Sequence, residues 1–214
     1  MNFEQARSNM IEQQIRTWEV LDQRVLDLLA AVPREDFVPS RYRSLAFSDT
    51  SIPLGFGEVM MAPKVEARML QMLAVEPSAR ILEIGTGSGY LTALLAQLAG
   101  HVYSVERIRE LSVRARAILD QLRISNAALM VGDGSVGWSR YAPYQAMLVS
   151  AAAPAVPNLM VDQLALGGRL LIPIGDRDLQ RLTLVQKTDQ GLTTEEISAC
   201  VFVPLLGRFG WPAS

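Results

Sequence analysis

A glycine-rich segment between an apolar run and an amphipathic pattern is the part of the sequence best suited to bind a ligand. Residues 81–90 read Ile-Leu-Glu-Ile-Gly-Thr-Gly-Ser-Gly-Tyr, and leucines at helical spacing follow. This pattern predicts a strand that leads into a helix through a loop without bulky side chains. Glycines allow the backbone to approach a ligand closely, and the helix start presents free N–H groups. The candidate contact residues of this loop are Gly85, Thr86, Gly87, Ser88 and Gly89.

Two acidic residues near this loop indicate which ligand it binds. Glu106 ends a second apolar run about 20 residues further on, where an acid can accept hydrogen bonds from both ribose hydroxyls, and Arg107 follows it. Glu83 precedes the first glycine, where a carboxylate repels a pyrophosphate but suits the ammonium or sulfonium of S-adenosylmethionine. The loop lacks the Lys-Ser/Thr pair of a nucleoside triphosphate site. We therefore predict S-adenosylmethionine as cofactor, with S-adenosylhomocysteine as product.

A third candidate binding segment is Gly132-Asp133-Gly134, which follows the next predicted strand. Asp133 can accept a hydrogen bond from an adenine amino group, and Gly134 leaves room for the ring. An ordinary Asp-Gly turn has the same sequence, so both interpretations remain open here. Beside the glycine-rich loop, the adenine role is the favoured one.

Composition excludes several other classes of protein. The chain has 214 residues, half of them apolar, and a formal net charge of −2 with both signs mixed, which gives no reason to expect nucleic acid. No apolar run is long enough to cross a membrane, and the polar N-terminus is not typical of a signal peptide, so a cytoplasmic protein is expected. Cys200 is the single cysteine and is predicted to be a buried apolar residue. His101 is the single histidine and is expected on the rim opposite the ligand. Because there is no second histidine and no cysteine cluster, no metal site is predicted.

From position 80 the pattern alternates between strands and helices, which predicts an α/β fold with a doubly wound, mostly parallel, seven-stranded sheet. An N-terminal helical extension covers residues 1–31, an irregular connection covers 33–61, and a helix covers 64–75. We expect residues 1–63 to form a cap and 64–214 the cofactor-binding core, the two together forming one compact domain. The predicted strands are 80–84, 102–106, 128–131, 146–150, 168–173, 182–187 and 199–203, the last two forming an antiparallel hairpin. The predicted core helices are 89–99, 108–122 and 156–165.

Several segments together resemble the protein-L-isoaspartate O-methyltransferases. The likeness covers most of the chain and is carried by Val32–Pro39, Ala46–Gly55, Leu82–Thr92, Val102–Ile108, Gly132–Gly134, Ala152–Pro154 and Val203–Leu205. The resemblance implies a Rossmann-like methyltransferase fold. It also implies that damaged proteins carrying isoaspartyl residues are the partners, and that methylation of the isoaspartyl carboxylate serves their repair. The residues that it implies for S-adenosylmethionine binding are Gly85, Gly87, Gly89, Glu106, Asp133 and Gly134.

The sequence departs from this family at one position that matters for chemistry. The family reads T-I-S-x-P before the first core helix, and its serine faces cofactor and substrate, whereas this chain has Met61 at that place, two residues before Pro63. A thioether donates no hydrogen bond, so Met61 cannot orient a carboxylate as a hydroxyl does. A small carboxylate acceptor and a cofactor-binding protein without catalysis therefore stay open as alternatives. A nicotinamide oxidoreductase is disfavoured by Glu83 and by the loop spacing, and nothing in the sequence indicates an oligomeric state.

Overall fold

The computed structural model describes residues 2–176 and 179–212, and within them a seven-stranded sheet forms the centre of the molecule. In chain order the strands are β1 (Ile52–Gly55), β2 (Glu58–Met60), β3 (Arg80–Ile84), β4 (His101–Glu106), β5 (Ala127–Val131), β6 (Tyr144–Val149), β7 (Leu164–Gly175), β8 (Gln180–Thr188) and β9 (Gly191–Cys200). The central sheet has the order β5-β4-β3-β6-β7-β8-β9, while β1 and β2 form a separate hairpin. Strands β5 to β7 in this order are parallel, and β8 and β9 are antiparallel to their neighbours. The predicted fold class is confirmed.

Helices pack around this sheet. They are α1 (Phe3–Met10), α2 (Gln23–Ala31), α3 (Pro63–Leu73), α4 (Tyr90–Leu98), α5 (Arg109–Gln121) and α6 (Asn158–Asp162). Helix α3 begins at Pro63, whose fixed φ and missing N–H suit the first position of a helix. Helix α4 begins directly after Gly89, which has a φ of +85°. The local sequence thus determines where both helices next to the glycine-rich loop start.

The N-terminal extension is less regular than predicted. A π-helical turn follows α1 at Ile11–Ile15, a 3₁₀ turn follows at Arg16–Trp18, and α2 starts only at Gln23. Glu19, with a φ of +60°, ends the first helical stretch, because this left-handed conformation cannot continue a helix. The prediction of helix throughout residues 1–31 is therefore wrong between the two helices, and Met1 lies outside the described residues. The connection predicted as irregular holds 3₁₀ turns and the β1–β2 hairpin.

The end of the sheet differs most from the prediction. The antiparallel hairpin β8–β9 exists, but β9 covers Gly191–Cys200 and not 199–203. The residues between the two predicted strands 182–187 and 199–203 are mostly strand. The pattern missed them because β9 is an edge strand whose exposed side chains are mostly polar. Residues 201–203 lie beyond the strand. Strand β7 also starts earlier than predicted, at Leu164, so α6 is shorter than the predicted helix 156–165.

The N-terminal extension and the sheet share one buried apolar cluster. Met10, Ile15 and Leu29 belong to the same cluster as Ile81 of β3 and Leu94 of α4. A second cluster covers the other face of the sheet. The N-terminal extension, as described from residue 2, is therefore packed on the sheet through a common core. His101 begins β4 and lies at the opposite end of that strand from Glu106, as the sequence predicted.

No helix in the described part of the chain is both long and apolar enough to cross a membrane. The same described residues contain no group of three or more His, Cys, Asp or Glu side chains that could hold a metal ion.

Candidate active site

The glycine-rich loop lies between β3 and α4, and its backbone conformation requires glycine. Gly85, Gly87 and Gly89 have φ values of +96°, +53° and +85°, which favour glycine over residues with a side chain. A Cβ atom on Gly85 would lie 2.2 Å from the Ser150 hydroxyl oxygen. That hydroxyl donates hydrogen bonds to the carbonyl oxygens of Ile84 and Gly85, at 3.0 and 3.2 Å. The residue that follows β6 is thus hydrogen-bonded to the start of the loop.

Glu106 lies directly beside this loop, at the end of β4. Its Oε2 accepts a hydrogen bond from the Gly87 N–H at 2.9 Å, and its Oε1 accepts one from the Ile108 N–H at 2.9 Å. The residue is 5% exposed. Because adjacent parallel strands end at the same edge of the sheet, the loop and the acid predicted from separate motifs are neighbours. The carboxylate keeps lone pairs for further donors.

Two cavities adjoin the loop. The first, which we call the Glu106 cavity, has a volume of about 70 Å³. Its walls include Glu58, Gly85, Gly87, Glu106, Arg107, Gly134 and Val203–Leu206. The second, which we call the Met61 cavity, has a volume of about 240 Å³. Its walls include Trp18, Ser51, Met60, Met61, Glu66, Gly85–Ser88, Leu91, Leu182, Ser198, Cys200 and Phe202. The predicted loop residues Thr86 and Ser88 belong to the second cavity, while Gly89 lines neither and starts α4.

Glu83 lines neither cavity, so its contact with a sulfonium stays a prediction. The side chain is fully buried, and the Thr92 hydroxyl of α4 donates to its Oε2 at 2.5 Å. Burial raises the pKa of Glu83 to about 8, although hydroxyl groups of Ser104 and Thr92 act in the opposite direction. Side chains alternate along a strand, so Glu83 points to the same face as Ile81, under the helix. Its position therefore links α4 to the sheet.

Asp133 makes the contacts of a turn residue. Its Oδ1 accepts from the Ser135 N–H at 2.8 Å, and its Oδ2 accepts from the Arg208 N–H at 3.0 Å. Partial burial opposes ionisation, but these hydrogen bonds hold the pKa of Asp133 below its usual range. Asp133 is absent from the walls of both cavities, whereas Gly134 lines the Glu106 cavity. The structural role is thus present, and the adenine role stays a prediction.

Met61 lines the larger cavity, and its backbone is held by a buried arginine. The guanidinium of Arg34 donates to the Met61 carbonyl at 2.5 Å and to the Ala46 carbonyl at 2.8 Å. It also forms a buried ion pair with Glu66, and it lies 4.8 Å from the centre of the Tyr90 ring. Burial raises the pKa of Glu66 to about 7, against the lowering effect of Arg34. Arg34 thereby connects the N-terminal cap to the segment that carries Met61.

Sequence reasoning missed the buried Arg34–Glu66 ion pair. It also missed most of the residues that form the wall of the Met61 cavity. These residues come from segments far apart in the chain, including the turn at Trp18 and strands β8 and β9. Cys200 was predicted as a buried apolar residue, yet it is only partly buried and lines this cavity. Burial nevertheless raises the pKa of its thiol to about 11, so the thiol is neutral at physiological pH. The only sequence indication for Arg34 was its place in the Val32–Pro39 segment.

A glycine-rich loop and an acid at the ends of neighbouring parallel strands, within this strand order, define a Rossmann-like S-adenosylmethionine-dependent methyltransferase. The model of the protein-L-isoaspartate(D-aspartate) O-methyltransferase family matches residues 5–210. The chain belongs to this family, so the predicted family and enzyme class are confirmed.

Relatives with similar sequences cover nearly the whole chain. Protein-L-isoaspartate O-methyltransferase 1 of Pelobacter propionicus is 47% identical over 99% of this chain and 100% of its own length. The protein-L-isoaspartate O-methyltransferase of Aeropyrum pernix is 46% identical over 98% of this chain and 82% of its own. A solved structure of a protein-L-isoaspartate O-methyltransferase has a TM-score of 0.84 at 26% identity, covering 95% of this chain and 67% of its own. A structure from Plasmodium falciparum, in complex with S-adenosyl-L-homocysteine, has a TM-score of 0.80 at 22% identity, covering 96% and 99%, and supports the fold.

Proposed function

We propose that this chain transfers the methyl group of S-adenosylmethionine to the carboxylate of an isoaspartyl residue in a damaged protein. The observation that carries the proposal is the arrangement of two adjoining cavities around one glycine-rich loop. Gly85 and Gly87 line both cavities, so a ligand in one lies next to a ligand in the other. The curated relatives are named for the same reaction.

The residues around the Glu106 cavity fit the cofactor. Glu106 offers acceptor lone pairs where a ribose is expected, and a side chain on Gly85 would collide with Ser150. We assign cofactor binding to Gly85, Gly87, Glu106, Arg107 and Gly134, which line this cavity. We add Thr86, Ser88 and Gly89 from the same glycine-rich loop, and Asp133 beside Gly134. Glu83 joins β3 to α4, the two elements that flank this loop, through its hydrogen bond with Thr92. Bound S-adenosylmethionine would supply a methyl group attached to a sulfonium, and the neutral thioether S-adenosylhomocysteine would be the leaving group.

The Met61 cavity fits the acceptor. Its apolar side chains, among them Met60, Leu91 and Leu182, exclude water from the place where the methyl group is transferred. An acceptor carboxylate is ionised at pH 7, since its unperturbed pKa is about 4. No general base is then required, and the protein contributes mainly by aligning the two reactants. In this view residues 1–63 act as a cap that supplies part of the acceptor wall.

The test is transfer of a labelled methyl group to two synthetic peptides that differ only in one isoaspartyl or aspartyl residue. We expect a base-labile methyl ester on the isoaspartyl peptide and none on the aspartyl peptide. A panel of small carboxylic acids forms the third arm. Methylation of those acids without methylation of the peptide would assign the acceptor site to a small molecule instead.

A further inference from the structure

Glu58 is an acidic residue next to the cofactor site that none of the sequence motifs singled out. It starts β2, directly after the turn formed by Gly55, Phe56 and Gly57, which have φ values of +94°, +59° and +80°. Arg114 of α5 ties this turn to the core: its guanidinium lies 5.8 Å from the Phe56 ring centre, and its NH1 donates to the Leu54 carbonyl at 3.5 Å. The hairpin that carries Glu58 is thus connected to the helix that follows Glu106.

Glu58 and Glu106 line the same cavity from different elements. Glu106 enters from the central sheet, whereas Glu58 enters from the β1–β2 hairpin. The negative charge of Glu106 acts on the Glu58 carboxyl group, and the positive charge of Arg107 acts on it in the opposite direction. The two carboxyl groups are therefore close enough to interact electrostatically across a small cavity.

The two acids differ in what they already bind. Both oxygens of Glu106 accept backbone N–H groups, which fix that carboxylate in place. The side chain of Glu58 is partly buried, and among the described residues it makes neither a hydrogen bond nor an ion pair. Burial raises the pKa of Glu58, and the charge of Glu106 raises it further. A partly desolvated carboxylate without a partner is stabilised when a ligand donates a hydrogen bond to it.

We propose that Glu58 is a second ribose-binding carboxylate, which accepts a hydrogen bond from one hydroxyl of the cofactor while Glu106 accepts one from the other. The inference rests on the proposed placement of the ribose at Glu106. A ribose presents two neighbouring O–H donors, and two carboxylates that line one cavity can accept both. Contact with Glu58 would also fix the β1–β2 hairpin, whose next residues Val59 and Met60 line the acceptor cavity. Cofactor binding would in this way position one wall of the acceptor site.

The experiment combines protein variants with altered ligands in a thermodynamic cycle. Calorimetry measures binding of S-adenosylhomocysteine and its 2′-deoxy and 3′-deoxy analogues to the unmutated chain and to Glu58→Ala. We expect Glu58→Ala to weaken S-adenosylhomocysteine about 10- to 100-fold, the range for a hydrogen bond to a charged group. One of the two deoxy analogues should be weakened much less by this substitution, because it already lacks the hydroxyl that Glu58 binds.

Glu58→Gln is the second variant, since it keeps the size of the side chain and one acceptor oxygen. It should lose less affinity than Glu58→Ala, with the same dependence on one hydroxyl. The matched control is Glu76→Gln, an exposed acid in the turn before β3, at the opposite end of the sheet, which should bind all three ligands as the unmutated chain does.

The outcomes separate this inference from the proposed function. Equal weakening of all three ligands by Glu58→Ala would overturn the contact with a hydroxyl, and so would unchanged affinity. If the unmutated chain binds S-adenosylhomocysteine in either case, the cofactor assignment itself stands. Failure of the unmutated chain to bind S-adenosylhomocysteine would remove both the proposed function and this inference.

Discussion

The two cavities beside the glycine-rich loop differ in how their walls are built. The Glu106 cavity is lined mainly by residues at or just after the ends of β3, β4 and β6, which short contiguous motifs encode. The wall of the Met61 cavity is formed by residues of the N-terminal cap, α3, β8 and β9. These residues are far apart in the sequence, from Trp18 to Val203. A nucleotide-type cofactor site can therefore be identified from local sequence, whereas an acceptor site depends on packing between distant segments.

The largest expected effect concerns the acceptor cavity. Met61→Ser should raise turnover on an isoaspartyl peptide about ten- to a hundredfold, because a hydrogen bond to a charged acceptor contributes about 1.5–3 kcal/mol. The unmutated chain should be slow by comparison. Labelled-methyl transfer measures both proteins, and Met72→Ser, a change in α3 outside both cavities, is the control. Fast, isoaspartyl-selective turnover by the unmutated chain, with a loss in Met61→Ser, would show that the acceptor carboxylate is held by other groups.

The cofactor cavity is tested by Glu106→Ala. The substitution removes the expected ribose acceptor and leaves the N–H groups of Gly87 and Ile108 without their present partner. We expect S-adenosylhomocysteine binding to weaken by about 1–3 kcal/mol, as measured by calorimetry. NAD should not bind to either protein. Tighter binding of NAD than of S-adenosylmethionine would assign the cofactor cavity to another enzyme class.

Asp133→Ala separates a structural from a binding role at the edge of the cofactor cavity. Two backbone N–H groups lose their acceptor, so the free energy of unfolding should fall by about 1–2 kcal/mol in a denaturant titration. If Asp133 also accepts from the adenine amino group, the unmutated chain should prefer S-adenosylhomocysteine over its inosine analogue, and the variant should lose that preference. Retention of the preference would leave Asp133 with the turn role alone.

The smallest effect on ligand binding is expected at Glu83, which lines neither cavity, so the measurement there is of stability. This acid has a pKa of about 8 in the folded chain against an ordinary value of 4.5, so the folded state binds more protons between these pH values. Its contribution to stability is therefore fully present below pH 4.5 and is lost as the pH rises to about 8. Glu83→Gln removes this titration, so its melting temperature relative to the unmutated chain should rise from pH 5 to pH 8. A difference that stays constant with pH would contradict the burial of a protonated carboxyl group here.

Local sequence determined much of the cofactor side of this protein. The strand, loop and helix around Gly85 to Gly89 follow from glycine conformations and apolar spacing, and the place of Glu106 follows from adjacent parallel strands that end at one edge. The family resemblance, carried by motifs spread along the chain, also held over residues 5–210. These features are short-range in sequence or set by general rules of the α/β fold, so a pattern can show them.

Tertiary structure alone decided the rest. The alternation of side chains along β3 places Glu83 on the face that α4 covers. The edge strand β9 is mostly polar, so a search for apolar runs did not detect it. Arg34 binds the Met61 carbonyl because the N-terminal cap packs against Tyr90 at the start of α4. Glu58 lines the cofactor cavity because the β1–β2 hairpin places it there. In each case the deciding interaction joins residues far apart in the chain, and the free energy of such contacts depends on packing that no local spacing encodes.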